Sequence, residues 1–226
     1  MNVVYSLTSN FVDKAIPSMR SLLEHNPKAK IYLLTETDSV DIGIPLTVIN
    51  ISNQTWFGGD CVNIHNHFGG AINLLKVCYP QILKVKKVIH LDADTIICDS
   101  LDPMWDTDLT GKWIAAVPEY RGRYKPFGDM YYNMGVAVLN LAQLRQDKIM
   151  PWMVEYLNTV PQPYADQDAF NKPAIEQDKV VPLDVRFNEC FATGQTNNPA
   201  IVHYCGISNW YAARNMPRVE YLDRYR

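Results

Sequence analysis

The chain is short of several things, and each shortage closes off a class of function. Its five cysteines, Cys61, Cys78, Cys98, Cys190 and Cys205, are an odd number with no Cys-x-x-Cys pair. That argues against a zinc knuckle and against a disulfide framework. No apolar run approaches the roughly 20 residues that cross a bilayer, and the apolar stretch at residues 3–7 is too short for a secretory leader. A reducing cytoplasm is the compartment these absences predict. Charge of one sign is lacking too: 21 basic against 24 acidic residues leave a formal net charge of −3, which offers no electrostatic footprint for nucleic acid. There is no internal repeat and no low-complexity linker. What remains is 226 residues, 47% of them hydrophobic, enough for one sizeable core in a globular protein.

The pattern along the chain alternates strand and helix. Residues 2–8 read as a first strand, with Val3, Val4 and Tyr5 β-branched or aromatic. Residues 11–25 carry Ile16, Met19, Leu22 and Leu23 on one helical face and stop at Asn26-Pro27. Strands follow at 31–35 and 46–51, separated by a Gly43/Pro45 turn. Such alternation argues for a parallel α/β sheet. Thr8-Ser9-Asn10 then ends a strand and caps a helix, where a nucleotide could touch backbone and polar side chains. Residues 55–70 read as a loop whose His65 and His67 are solvated rather than ligating, and 71–83 as a helix carrying Lys76. A turn at 101–106, a strand at 113–117 and a loop at 119–129 come next. That loop interleaves Arg121, Arg123 and Lys125 with Tyr120, Tyr124 and Phe127, and is either a solvated basic loop or a lid over an anion. Tyr131 to Gly135 leads into a strand at 136–139; helices are expected at 141–145, at 151–158 and from about Asp166, with short strands at 180–181 and 201–202.

One stretch organises the rest. Val88 to Leu91 is the short apolar run of a buried strand, and Asp92 and Asp94 arrive where it ends. Side chains two apart on an extended segment point the same way, so the two carboxylates can address one ion or ligand. Paired hard oxygen donors suit magnesium or manganese, which can bridge the oxygens of a diphosphate. With 17 aspartates in the chain, about one Asp-x-Asp pair is expected by chance, so spacing alone decides nothing. The chain holds three. Asp106/Asp108 read as turn residues and Asp166/Asp168 open a helix; only Asp92/Asp94 is delivered by an apolar strand, and His203 ends a strand in the same manner.

Five segments, in order, carry a resemblance to a known family: Lys87-Val88-Ile89-His90-Leu91-Asp92-Ala93-Asp94-Thr95; residues 104–113 from Met104-Trp105-Asp106 to Gly111-Lys112-Trp113; Tyr132-Asn133-Met134-Gly135 with Leu139-Asn140-Leu141; Ala165-Asp166-Gln167-Asp168-Ala169-Phe170-Asn171; and His203-Tyr204-Cys205-Gly206. The set resembles the nucleotide-sugar-dependent retaining glycosyltransferases of family 8, which include glycogenin and bacterial lipopolysaccharide galactosyltransferases. The resemblance implies a GT-A fold, a Rossmann-like mixed sheet flanked by helices, as one domain over 1–226. A nucleotide-binding part would occupy about 1–112, an acceptor-binding part about 113–210 and a tail about 211–226. It implies a UDP-sugar donor, a transferred hexose such as galactose or glucose, and a glycan, glycolipid or protein acceptor. Asp92, Asp94 and His203 would hold manganese or magnesium. Thr8, Asn10, Lys76, Ala93, Gly206 and Asn209 would line the donor. Asn133, Asp166 and Gln167 would face the transferred sugar as the catalytic group, with Glu119 as an acidic contact; for Asp166 the alternative is a helix N-cap.

Two departures stand out. Family members commonly carry a lysine six residues after the metal-binding histidine, followed by Pro-Trp; here Asn209 holds that place and Trp210 follows directly. The first strand ends in Thr8-Ser9-Asn10 where many relatives are acidic. An amide cannot neutralise a leaving diphosphate, so a cation is expected from Arg121, Arg123 or Lys125, or from Arg214. The tail interleaves Arg214, Arg218, Arg224 and Arg226 with Tyr211, Tyr221 and Tyr225, either as an ordinary terminus or as a peripheral membrane contact. Two alternative functions remain: a nucleotide-sugar-binding protein with little turnover, and a phosphatase of the haloacid dehalogenase type.

Overall fold

The computed structural model describes residues 1–65, 70–120, 127 and 130–226. The readings of His67, Arg121, Arg123, Tyr124 and Lys125 fall outside them. The chain opens with β1 (Asn2–Ser6), a 3₁₀ turn (Ser9–Ala15), α1 (Ile16–His25), β2 (Lys30–Thr35) and β3 (Thr47–Asn50). α1 starts five residues later than the periodicity of 11–25 predicts, and Pro17, with no N–H to commit, sits in its first turn. The expected helix at 71–83 is broken into α2 (Ala71–Leu74), a 3₁₀ turn (Leu75–Cys78) and α3 (Tyr79–Ile82). Pro80 cannot donate to the carbonyl four residues back, so an unbroken helical ladder is excluded there.

Next come β4 (Val88–Leu91), β5 (Thr95–Ile97), α4 (Asp102–Trp105), β6 (Ile114–Pro118) and β7 (Tyr132–Leu139). β5 has no counterpart in the sequence reading, and β7 begins four residues earlier than expected, so Tyr132 to Gly135 is strand rather than approach. α5 (Leu141–Gln146), α6 (Met150–Thr159), α7 (Asp166–Glu176), β8 (Val180–Pro182), β9 (Ile201–His203) and α8 (Val219–Asp223) complete the chain.

Among the described residues seven strands form one sheet in the order β3-β2-β1-β4-β7-β6-β8. β1 pairs in parallel with β2 and β4, whereas β7 runs antiparallel to both β4 and β6, so the sheet is mixed. Every residue of β4 and β7 is buried, the continuous apolar pattern of strands covered on both faces. Alternate residues feed two cores. Val3, Tyr5, Leu33, Ile89 and Leu91 pack with α1, β5 and β9; Val4, Leu34, Val88, Ala137 and Leu139 pack with α3, α5, α6 and α7. Burial of each such Leu or Ile contributes about 1.5–3 kcal/mol. β5 and β9 form their own antiparallel pair, Thr95 opposite His203. That pairing sets the late histidine beside the early aspartates.

One irregularity aims the site. Along β6 and β7 the register jumps from Ala116 opposite Ala137 to Val117 opposite Asn133. The residues bulged out of the ladder are Met134 to Val136, and the Gly135 carbonyl turns to accept from the Asp92 backbone N–H at 2.7 Å.

Candidate active site

The site lies beyond the carboxyl end of β4, in the position where open α/β sheets bind ligands. Asp92 and Asp94 occupy the turn between β4 and β5, and His203 ends β9. One ligand atom from each lies within 4.8 Å of the others. The His203 Nε2 is 3.2 Å from Asp94 Oδ1 and 3.9 Å from Asp92 Oδ2.

The turn is tied down from below. Tyr5 Oη meets Ser18 Oγ at 2.9 Å, Ser18 Oγ meets Thr95 Oγ1 at 2.8 Å, and Thr95 Oγ1 donates to the Asp92 carbonyl at 2.9 Å. A second chain orients the Asp92 carboxylate, because His90 Nε2 lies 2.8 Å from Asp92 Oδ1 and His90 Nδ1 lies 3.0 Å from Tyr79 Oη. Burial, with Lys76 nearby, pushes the His90 pKa down, so the ring is neutral. An ionised carboxylate only accepts; hence Nε2 carries the proton and Nδ1 accepts from Tyr79.

The tautomer of His203 follows from a backbone group. The Gly135 N–H donates to Asn133 Oδ1 at 3.1 Å, which marks that atom as oxygen. Asn188 Nδ2 therefore faces it at 2.9 Å, and Asn188 Oδ1 is left to accept from His203 Nδ1 at 2.8 Å. Nε2 then faces the carboxylates, donating to Asp94 when protonated and offering its lone pair to a metal once deprotonated, the arrangement of a metal-ligating histidine held by an outer hydrogen bond. Burial opposes charge on His203, but Asp94 chiefly outweighs it and lifts its pKa to about 9. For Asp92 burial would raise the pKa, yet the Lys76 ammonium and the two imidazoles hold it well below the usual carboxylate range.

Strand β7 passes hard against the ligand set at Gly135. A Cβ there would lie 2.5 Å from Asp92 Oδ2 and 2.5 Å from His203 Cε1, so only glycine lets strand β7 pass this close to the ligand set. Two carboxylates and an imidazole fit a hard divalent cation that keeps coordination positions for oxygen ligands.

Beside this cluster, Lys76 Nζ is buried between the Met134 carbonyl and Asp166 Oδ2, each at 2.8 Å. Lys76 thus sits against Asp166, at the side where the transferred sugar is expected. Asp166 is the first residue of α7, not its cap: the N-cap is Ala165, at a φ of 46°. Asp168 has the structural part, accepting from Tyr131 Oη at 2.6 Å and from the Tyr164 N–H at 2.8 Å. Gln167 accepts from the Met134 N–H at 2.9 Å, and Glu119 Oε1 accepts from Asn133 Nδ2 at 2.8 Å and Gln167 Nε2 at 3.3 Å. Burial raises the Glu119 pKa, partly offset by those two amides.

Thr8 and Asn10 lie past the carboxyl end of β1, next to β4 in the sheet. Thr8 Oγ1 donates to Asn10 Oδ1 at 2.7 Å instead of capping the 3₁₀ turn. Ala93 is buried between the two aspartates. Gly206 and Asn209 both have positive φ, 74° and 53°. Asparagine tolerates that conformation better than most residues. Its Oδ1 accepts from Tyr211 Oη at 3.1 Å.

Of the cations expected to replace the lysine at 209, Arg214 is paired with Asp223 at 2.9 Å and is 69% exposed; Arg121, Arg123 and Lys125 lie outside the described residues. The tail is no free basic arm. Arg218 bonds Glu189, Arg224 bonds Glu24 and Arg226 bonds Asp223, while Leu222 and Tyr225 are buried. The alternative of a peripheral membrane contact through these arginines finds no support there, since each is paired with a carboxylate. Among the described residues no helix is long and apolar enough to cross a membrane.

Sequence reasoning missed Asn188, fully buried in an irregular segment with no periodicity to flag it, and the steric role of Gly135. It also missed the thiol pair Cys190 and Cys205, whose sulfurs, 15 positions apart, carry no motif spacing.

A mixed sheet with an acidic, metal-competent turn after its central strand agrees with the expected GT-A fold. The sequence matches Glycosyl transferase family 8 over residues 2–210, and the chain belongs to that family. It is similar to General stress protein A of Bacillus subtilis, 24% identical over 84% of this chain and 74% of the relative. It is also similar to Glycosyltransferase GlyB of Streptococcus pneumoniae, 22% identical over 95% of this chain but 58% of that longer protein. The galactosyltransferase LgtC, whose structure is known in complex with donor and acceptor sugar analogs, superposes with a TM-score of 0.71 at 21% identity, covering 100% of this chain and 96% of LgtC. Family membership sets aside the dehalogenase-type phosphatase.

Proposed function

We propose that the chain is a metal-dependent, retaining hexosyltransferase that moves galactose or glucose from a UDP-sugar to a hydroxyl of a glycan, glycolipid or protein. The observation that carries this reading is the convergence of Asp92, Asp94 and His203. When bound there, manganese or magnesium supplies positive charge to the departing diphosphate. Thr8, Asn10, Ala93, Gly206 and Asn209 line the nucleotide side, the first three past the ends of the neighbouring strands β1 and β4 and the last two after β9. Lys76 balances Asp166, so that the sugar pocket is not overwhelmed by negative charge. Asp166, Gln167 and Asn133, with Glu119 behind the two amides, offer carboxylate and amide groups to an anomeric centre that gains positive character as the bond to diphosphate breaks. Five unpaired cysteines suit a reducing compartment such as the cytoplasm.

The test is a panel of UDP-sugars with simple glycan acceptors, following UDP release with manganese, with magnesium and with chelator, and reading the anomer of the product by NMR. Turnover that survives in chelator, or an inverted product, overturns the reading. A second reading, binding of the nucleotide sugar with little turnover, is favoured by Asn209, whose amide faces Tyr211 where a cation would be expected. It predicts tight UDP binding with metal and no product.

A further inference from the structure

His203 also belongs to a second set of ligand atoms, and its chemistry is the opposite of the first. Cys190, His203 and Cys205 each place one ligand atom within 4.8 Å of the others. Cys190 and His203 are buried and Cys205 is half-buried; none of the chain's thiols is in a disulfide. In a tetrahedral zinc site with bonds of about 2.3 Å to sulfur, the sulfurs stand roughly 3.7 Å apart. A closure of at most about 1.3 Å therefore converts the observed cluster into a coordination shell. The backbone around it is already shaped. Gly194, at a φ of 115°, closes a tight turn by donating its N–H to the Cys190 carbonyl at 2.9 Å, and Cys205 stands two residues beyond His203. An entry route exists as well: a cavity of about 120 Å³ is lined by Cys190, His203 and Cys205 together with Phe191, Tyr204 and Ile207.

We propose that Cys190, His203 and Cys205 form a site for a thiophilic divalent cation, zinc or cadmium, and that occupancy of this site is antagonistic to the Asp92/Asp94/His203 site. Two sulfurs and an imidazole are a soft donor set, whereas two carboxylates and the same imidazole are a hard one. Ligation strips both thiols of their protons, and solvent from the cavity or Asp94 supplies a fourth ligand. Antagonism follows from the shared ring. Through Nε2 the two sites are mutually exclusive. Through Nδ1 the soft ion breaks the 2.8 Å bond to Asn188 and sets two dications on one imidazole. Either way the soft ion weakens the hard one, and zinc, which outranks manganese for nitrogen and sulfur donors, acts as an inhibitor.

The binding part stands whether or not the chain is a transferase; the inhibition part rests on the proposed function. The test uses cadmium ions alone, titrated into the full chain kept reduced with a phosphine, and follows the ultraviolet charge-transfer absorbance of cadmium–thiolate bonds. The expected result is one equivalent bound, with affinity reduced at least about tenfold in Cys205→Ser and in Cys190→Ser and unchanged in Cys98→Ser. Cys205 is half-exposed, so its serine variant keeps the fold if the buried Cys190 variant does not. Unaltered binding in Cys205→Ser, or absorbance lost in Cys98→Ser instead, overturns the site. If UDP-sugar turnover is found, zinc should inhibit the manganese-supported reaction, and Cys205→Ser should need about tenfold more zinc for the same inhibition; equal sensitivity overturns the antagonism. A chain that binds cadmium as described but turns over no UDP-sugar refutes the transferase reading alone.

Discussion

Lys76→Met tests the electrostatic reasoning most directly. The ammonium is 6% exposed as a residue and bonds the Met134 carbonyl and Asp166 Oδ2, each at 2.8 Å. Methionine keeps the length and loses the charge. Asp166, only 16% exposed at its side chain, is then left without its cation, and Asp92 loses the positive charge that most depresses its pKa. Removing one partner of a buried ion pair costs roughly 3–5 kcal/mol. At about 2–4 °C per kcal/mol for a domain of this size, the melting temperature should fall by roughly 6–20 °C. The double variant Lys76→Met/Asp166→Leu removes both charges and should recover at least half of that loss, because desolvation of the orphaned carboxylate is relieved. The pH dependence carries a sign. A carboxylate with a depressed folded pKa contributes stability above its unfolded value and loses it as pH falls through the folded one. Without Lys76 the folded value of Asp92 rises, so the acid limb of stability should move to higher pH. Calorimetry across the acid range reads both effects. A double variant no more stable than Lys76→Met, or an unmoved acid limb, refutes the argument.

Further outcomes follow from the same geometry. Gly135→Ala forces a methyl against Asp92 and His203, each tethered by other bonds; it should cost about 1–3 kcal/mol and lower manganese affinity in a calorimetric titration, whereas wild-type affinity would show that the strand can back away. Asp94→Asn should leave the melting temperature within a few degrees and remove metal-dependent UDP release; retained activity places the metal elsewhere. Glu119 has a raised folded pKa, so its contribution is full below the unfolded value and is lost as pH rises through the folded one. Glu119→Gln, whose carbonyl can still accept from Asn133 and Gln167, should therefore be at least as stable as wild type above the ordinary carboxylate range, and denaturant melts at neutral pH against pH 4 check the crossover. Deleting residues 214–226 removes the Arg218 partner of buried Glu189 and uncovers the core beneath Leu222; thermal melts should show destabilisation, and sedimentation with anionic liposomes should show no loss of binding.

What the sequence determined by itself is what local pattern can encode. The apolar run of Val88 to Leu91 made β4, the period of Met19 and Leu22 made the buried face of α1, and Asp92 and Asp94 at the end of a buried strand marked the candidate site. The five family segments, in order, named the fold. Interruptions were legible only as chemistry, since Pro80 breaks a helix whose apolar spacing runs straight through it. The tertiary structure alone decided which distant groups meet. His203 reaches the aspartates because β5 pairs with β9 across more than a hundred residues, and β5 itself, three residues long, is too short for any period to reveal. Gly135 matters because a register jump carries its backbone against Asp92. Asn188 matters because its carbonyl oxygen is the one the Asn133 and Gly135 bonds leave for His203. In one dimension the tail arginines left an ordinary terminus and a membrane contact both open, yet each finds a carboxylate once the chain is folded. Long-range pairing chooses partners by proximity in space, and a pattern of nearest neighbours along the chain carries no record of it.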